Sequence, residues 1–482
     1  MSTARLNDFS DKLSPMLVKE LRQGLRARTF IVVFLALQGL LALILLSAAG
    51  ASSYDSAGLT ITRIIFLFFS LAVLVIQPLR GIGAVSSEVK AGTIDLMVLT
   101  RLSAWRIVFG KWVALVSQSA LLLTAIIPYL ILRYFFGEMD LFAELLLLGC
   151  VFLGSMLFTA ITVGMSASSS VLIRGILPVL GSPFLVFMIL GFCLSDGIEE
   201  LIDFFTFTDP DSPTIFGVCL GLGLFLAWTA IDFGAGIIAP LAENRASLRR
   251  LLILVIAVIW AVACHWVDQE WMLLAIAVLL TPTIAMALTE PAALLPIVCS
   301  RFTRFGLPGR LAGRVLYPGW PSGVIFVILI AVAIFVGAVF VDAGDEGNIL
   351  LSSWFGSLIL PALCVLPFDK KIRNPFAIYT LIIVGAFTFT LILAGLSEAM
   401  NDEEFLWVFC WLPTTHIVLA VSGLADDEAI MAGSVVWNAV MLLALFLVSM
   451  TRQGDILTAE QQAMSSAKPA PLPATDSGET EP

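Results

Sequence analysis

Charged side chains are scarce here: Asp, Glu, Lys and Arg make up 13% of the 482 residues, against roughly a quarter in an ordinary soluble domain. So few cannot clothe a water-soluble surface of this size. Histidine is scarcer still: His265 and His416 stand far apart in the sequence, which leaves little material for metal-assisted or imidazole catalysis. No GxxxxGK[ST] phosphate loop and no HExxH occurs, so this chain is not expected to hydrolyse ATP or to be an enzyme. The seven cysteines (Cys150, Cys193, Cys219, Cys264, Cys299, Cys364, Cys410) are scattered singly, with no CxxC or Cys/His cluster. That spacing predicts inert thiols and no metal centre. No cofactor and no nucleic acid are expected to bind.

What the chain does have is apolar sequence, 59% of it, in runs of about 20 residues, the length that crosses a hydrocarbon layer of roughly 30 Å. Spans are expected near 30–49, 61–79, 109–132, 141–164, 175–194, 214–240, 251–267, 271–289, 322–341, 350–367, 376–396 and 430–450. The segment 405–424 is interrupted by Pro413 and His416 and carries Trp407 and Trp411 in its first half, which predicts a re-entrant or interfacial element. The fold class is therefore all-α, a polytopic helical membrane protein of about twelve spans. Polar residues precede the first run, and no cleavable signal peptide is expected. With both termini in the cytoplasm, only Arg63 and Arg133 of the 26 basic residues fall on the far side, the asymmetry expected of a multi-pass protein of the cell inner (cytoplasmic) membrane. Loops on that far side, 195–213, 342–348 and 397–404, are short and acidic. Four regions follow: a cytoplasmic N-terminus over 1–29, a six-span half over 30–250, a second six-span half over 251–450, and a tail over 451–482. From about 454 onward, ending KPAPLPATDSGETEP, the tail is expected to be disordered.

Two polar stretches carry mechanism. In SPMLVKELRQGLRART, 14–29, Ser14 is placed as N-cap and Pro15 at the first helical position. Leu17, Val18, Leu21 and Leu25 share one arc of that helix, and Lys19, Arg22, Gln23 and Arg26 the other, as in a basic amphipathic helix at a membrane surface. The second stretch, 86–111, is SSEVKAGTIDLMVLTRLSAWRIVFGK. Gly92 breaks what precedes it, Thr93 can cap a short helix starting near Ile94, and Asp95 complements that helix's dipole. Ser103 can cap a second short helix, whose Trp105, Arg106 and Lys111 suit the headgroup region ahead of span three. The first of these helices is too apolar to stay bare in water and calls for a cover, either a partner or the chain's own spans.

The order Glu88, Gly92-Thr93, Asp95, the Leu96-Met97 run, Thr100, Ser103 and Lys111 resembles the cytoplasmic segment after the second span of ABC-2 type permeases, the membrane subunits of ATP-binding-cassette transporters. The N-terminal helix, with Lys19, Glu20, Arg22 and Arg26, is similar to that family's elbow helix. The resemblance covers about residues 14–250. It implies that Glu88, Gly92, Thr93, Asp95, Leu96, Met97, Thr100, Arg101 and Ser103 form a coupling helix on which a separate cytoplasmic ABC ATPase docks. ATP would be held by that partner, and export is the direction implied. Arg101 stands where the family usually has proline.

Three further features are less specific. Asp232, in WTAIDFGAGIIAP, is an intramembrane carboxylate and so a functional candidate. Gly217 and Gly221 form a GxxxG that permits close helix packing, within the chain or in a homodimer or a pairing with a second permease. Pro178, Pro183 and Pro282 are expected to kink spans five and eight. The loop of the second half, 290–323, sits where the coupling segment sits in the first half but lacks its pattern. It offers Arg301, Arg304, Arg310 and Arg314 instead, as a divergent repeat or as a lipid-facing extension with basic anchors. An ion-coupled secondary transporter and a membrane scaffold or assembly factor with a permease-like fold are the other readings the sequence permits.

Overall fold

The computed structural model describes residues 15–50, 57–92, 103–134, 140–240, 243–263, 271–341, 344–400, 404–421 and 428–467. Among these, every regular element is helical and no strand occurs. Eleven helical segments are long and apolar enough to cross a membrane, so the chain is a polytopic helical membrane protein. The remaining expected span is represented by Ala246–Ala263, and its end, 264–267, lies outside the described residues. The chain divides into two compact units, Met1–Ala239 and Pro240–Pro482. The division thus lies ahead of 250, where the sequence put it. Ala239 leaves helical geometry before Pro240, and the next helix already belongs to the second unit.

In the first unit, α1 (Pro15–Leu25) opens on its proline as expected. Arg26, assigned to that helix from sequence, lies in the turn beyond it, with its N–H on the Arg22 carbonyl at 3.3 Å. Helix α2 is Arg28–Gly50. Helix α3 (Ala57–Ser70) continues through a π turn at Leu71–Ile76 and a 3₁₀ turn at Arg80–Gly83 to α4, Ser86–Lys90. The π turn stands just before Pro78, whose missing N–H and bulky ring disfavour an i−4 bond, and Gln77 N–H bonds Ala72 five residues back.

Helix α5, Ala104–Tyr134, is continuous over 31 residues, about 46 Å at 1.5 Å per residue. This corrects the expectation of a separate helix starting at Ser103. Trp105, Arg106 and Lys111 lie in the first turns of span three itself, since Gly110 alone costs only about 1 kcal/mol and does not break the helix. Helix α6 (Leu141–Ser166) is capped by Asp140, which accepts from Ala143 N–H at 3.0 Å. A second π turn, Leu172–Ile176, precedes α7, Leu177–Leu194, where Pro178 stands near the start and Pro183 inside. A short α8 (Gly197–Phe205) and α9 (Ser212–Ile238) complete the unit.

Within this chain the close approach of span six is at Gly234, not at Gly217 and Gly221. A Cβ at either would meet nothing within 4 Å, whereas one at Gly164 of α6 would lie 2.0 Å from the Ala230 carbonyl oxygen of α9, and one at Gly234 would lie 2.8 Å from Gly164 Cα. Small residues do set this crossing, but at Gly164 and Gly234. The two basic residues that break the charge asymmetry are both matched by acids. Arg63 pairs with Asp196 at 2.9 Å and with Glu199. Arg133 is fully buried, 3.4 Å from Glu144 and donating to Gly58 O at 3.2 Å.

The second unit contains α10 (Ala246–Ala263), α11 (Trp271–Thr289), the short pair α12 (Pro296–Thr303) and α13 (Gly306–Leu316), then α14 (Trp320–Val341), α15 (Gly344–Val365) and α16 (Pro375–Met400). Pro282 lies inside α11. Residues Pro413–Val421 form α17, nine residues long and hence about 13 Å, too short to cross. Its Thr414 hydroxyl meets Thr390 of α16 at 2.6 Å. In α18 (Glu428–Met450), Asn438 donates to Ser352 O of α15 at 2.8 Å. Beyond it the expectation of a disordered tail from 454 is corrected over 454–467, while 468–482 lies outside the described residues. Gln453–Ala467 is helix α19, because Ile456, Ala459, Glu460 and Ala463 recur on one buried face. Ile456, Ala459 and Ala463 pack with Cys299 and Tyr317, and Glu460 accepts from Tyr317 and Arg310 at 3.3 Å each.

The thiols are graded by exposure. Cys219 and Cys364 are exposed, while Cys193 and Cys299 are buried. Burial pushes the Cys299 thiol up to about 11. At pH 8 in detergent, N-ethylmaleimide is expected to modify Cys299 about 10²-fold more slowly in the folded chain than in the chain unfolded in guanidinium, because the thiolate is the nucleophile; peptide mass mapping against time reads the difference.

Candidate functional site

Of the sequence-predicted residues, Glu20 and Glu88 are brought together at the end of the first unit that carries α1. Helix α5 buries the stripe Ala104, Ile107, Val108, Lys111, Ala114 and Gln118, at the i, i+3, i+4, i+7 spacing of a core-facing helix. Lys111 therefore points into protein rather than into the headgroup region, and is 5% exposed. Two carboxylates meet it there, Glu88 of α4 at 2.9 Å and Glu20 of α1 at 3.2 Å, both themselves largely buried. A buried ammonium is tolerated only when its charge is matched and its protons are accepted. Here two acids from two separate elements do both.

A second set of polar contacts runs beside this one. Arg80 donates to Gln77 and to Gln118, and its guanidinium sits 5.7 Å from the Phe30 ring centre. Gln118 also donates to Ala114 O at 3.2 Å. Gly24 of α1 rests on this residue, since a Cβ there would come within 2.2 Å of the Gln118 amide nitrogen. Val85 N–H is accepted by Ser166 of α6 at 3.1 Å. The α1 helix, the end of span two, the start of span three and the end of span four are thereby tied at one place.

These ties fix both ends of the segment 91–103. Its first side is held through Glu88, its second through Lys111, and the ion pair joins the two. Gly92 has φ +66°, the left-handed region that favours glycine, and turns the chain out of α4. Ser103 directly precedes α5. Thr93, Asp95, Leu96, Met97, Thr100 and Arg101 lie outside the described residues. On α1, Lys19, Arg22 and the adjoining Arg26 are exposed as the wheel predicts, but Glu20 is turned inward to Lys111.

Asp232 is 2% exposed, on α9 between Ala230 and Gly234, the residues that touch Gly164. It faces protein at the α6–α9 crossing, not lipid. On the same unit, α5, α6 and α9 enclose an apolar groove of about 320 Å³, lined among others by Trp105, Trp112, Cys150, Phe216, Gly223 and Trp228. Trp112 donates to Met156 O at 2.9 Å and so cannot swing out freely. The role of Lys111 as a shared ion-pair partner was missed in the sequence, where its phase within the buried stripe of α5 was the available signal. Among the described residues no group of His, Cys, Asp and Glu could hold a metal ion. Comparison of the chain with family models, curated proteins and solved structures finds no match.

Proposed function

We propose that this chain is the transmembrane permease subunit of an ABC transporter of the ABC-2 type, working with a separate cytoplasmic ATPase, with export as the direction. The observation that carries the reading is the three-way attachment of the segment 91–103. An ATPase that moves this segment would push on a stretch whose two flanks are joined by the Glu88–Lys111 ion pair. The push would pass into spans two and three and, through Glu20, into α1. A coupling segment requires such stiffness at its flanks, because slack there would absorb the motion. ATP stays on the partner, and the apolar groove of the first unit is the kind of surface along which a substrate poor in charge could move.

Purification of the tagged full chain from its native membrane should bring down a protein with ATPase activity. Gly92→Pro, which cannot adopt φ +66° because proline fixes φ near −65°, and Asp95→Arg should each lower that recovery at least tenfold while the chain itself accumulates normally. Unchanged recovery in both variants would overturn the proposal.

A further inference from the structure

The α12–α13 hairpin of the second unit has one packed face and one bare face. Residues 294–317 carry four arginines and no Asp, Glu or Lys, and the chain reverses between the helices at Gly306, φ +68°. Inward lie Val298, Cys299 and Phe302, the last edge-on to Tyr317 with ring centres 5.2 Å apart. Outward, Ile297 is 63% exposed, Phe305 72%, Leu307 71% and Leu311 60%. Arg310 is engaged by Glu460. Arg301, Arg304 and Arg314 have no ion-pair partner among the described residues.

The free arginines and the bare apolar side chains share the same stripes. Ile297 and Arg301 follow i, i+4 along α12, Arg304 and Phe305 stand in the turn directly beyond it, and Leu307, Leu311 and Arg314 follow i, i+4, i+7 along α13. An aqueous surface disfavours that apolar exposure, and a partner protein would have to offer apolar and acidic groups interleaved at this pitch. A membrane surface offers both at once, acyl boundary and phosphate. The hairpin is also held near one, because it joins two helices long enough to span, α11 ending at Thr289 and α14 beginning at Trp320. Arginine, whose fork matches a phosphate bidentately, suits the task better than lysine.

We propose that this face is an anionic-phospholipid site: Phe305, Leu307 and Leu311 enter the acyl boundary, and Arg301, Arg304 and Arg314 take lipid phosphates. The proposal stands independently of the transport reading. Native mass spectrometry of the full chain, titrated with phosphatidylglycerol or phosphatidylcholine, reads it. Each cation near an anionic surface contributes roughly fivefold, so the preference for phosphatidylglycerol should fall about 10²-fold in the Arg301→Gln, Arg304→Gln, Arg314→Gln variant. The Lys370→Gln, Lys371→Gln variant should keep it. In vesicles, a bimane on Leu307→Cys, in a chain whose native cysteines are replaced by alanine, should be quenched by nitroxide-labelled lipid. A preference unchanged in the triple variant overturns the proposal. So does a bimane quenched from water alone, or one shielded from lipid by a co-purifying protein.

Discussion

Lys111→Met is expected to cost about 3–5 kcal/mol of stability, because it leaves two largely buried carboxylates facing one another with no cation. Glu20 and Glu88 sit 3.2 and 2.9 Å from the Lys111 ammonium, so each contact is direct. Glu88→Gln alone should cost less, since Lys111 keeps Glu20 as its counter-ion. The combined Lys111→Met, Glu20→Gln, Glu88→Gln variant should recover most of the loss, because replacing every member of a buried ionic cluster removes the uncompensated charge. Thermal unfolding in detergent, followed by loss of the monodisperse chromatographic peak, measures all three. An unchanged transition in Lys111→Met would mean that water reaches both carboxylates.

The second large effect is expected at the crossing of α6 and α9. In Gly164→Val the new Cβ would fall 2.0 Å from the Ala230 carbonyl oxygen and 2.8 Å from its carbon. Both are helix backbone and cannot rotate away, so the two helices must separate. Overpacking of this kind costs about 3 kcal/mol, and separation would also loosen the surroundings of Asp232. Gly217→Ala and Gly221→Ala, in the same span six, have open space and gain up to about 1 kcal/mol from helix propensity. The same unfolding assay should therefore order Gly164→Val far below the wild type, with the two alanine variants at or above it. The reverse order would place the helix contact at the GxxxG after all.

The contrast shows what a sequence can and cannot say in a membrane protein. A run of some twenty apolar residues is a direct statement about solvent, so the spans and the short α17 were legible in outline. The phase of a helix is a statement about neighbours, and a spacing motif does not contain it. Thus GxxxG marked Gly217 and Gly221, while the close backbone contact within the chain is between Gly164 and the stretch Ala230 to Gly234. Lys111 was read by its charge and its place near a span end, when its phase with Ala104, Val108 and Gln118 was the better guide. The α19 helix was hidden because polar residues surround its buried stripe and a Pro-rich segment follows. Of the exceptions to the charge asymmetry, Arg63 is covered by Asp196 and Glu199, distant in sequence, and Arg133 by Glu144 of the next helix, which counting cannot reveal. The segment 93–102 lies outside the described residues, and the resemblance there rests on sequence.

The π turns at Leu71–Ile76 and Leu172–Ile176 give spans two and five a spare residue each. A π turn accommodates one more residue than the α turn it replaces. Glu88 lies downstream of the first of these turns and Lys111 on another helix, so their ion pair sets the register of span two past its extra residue.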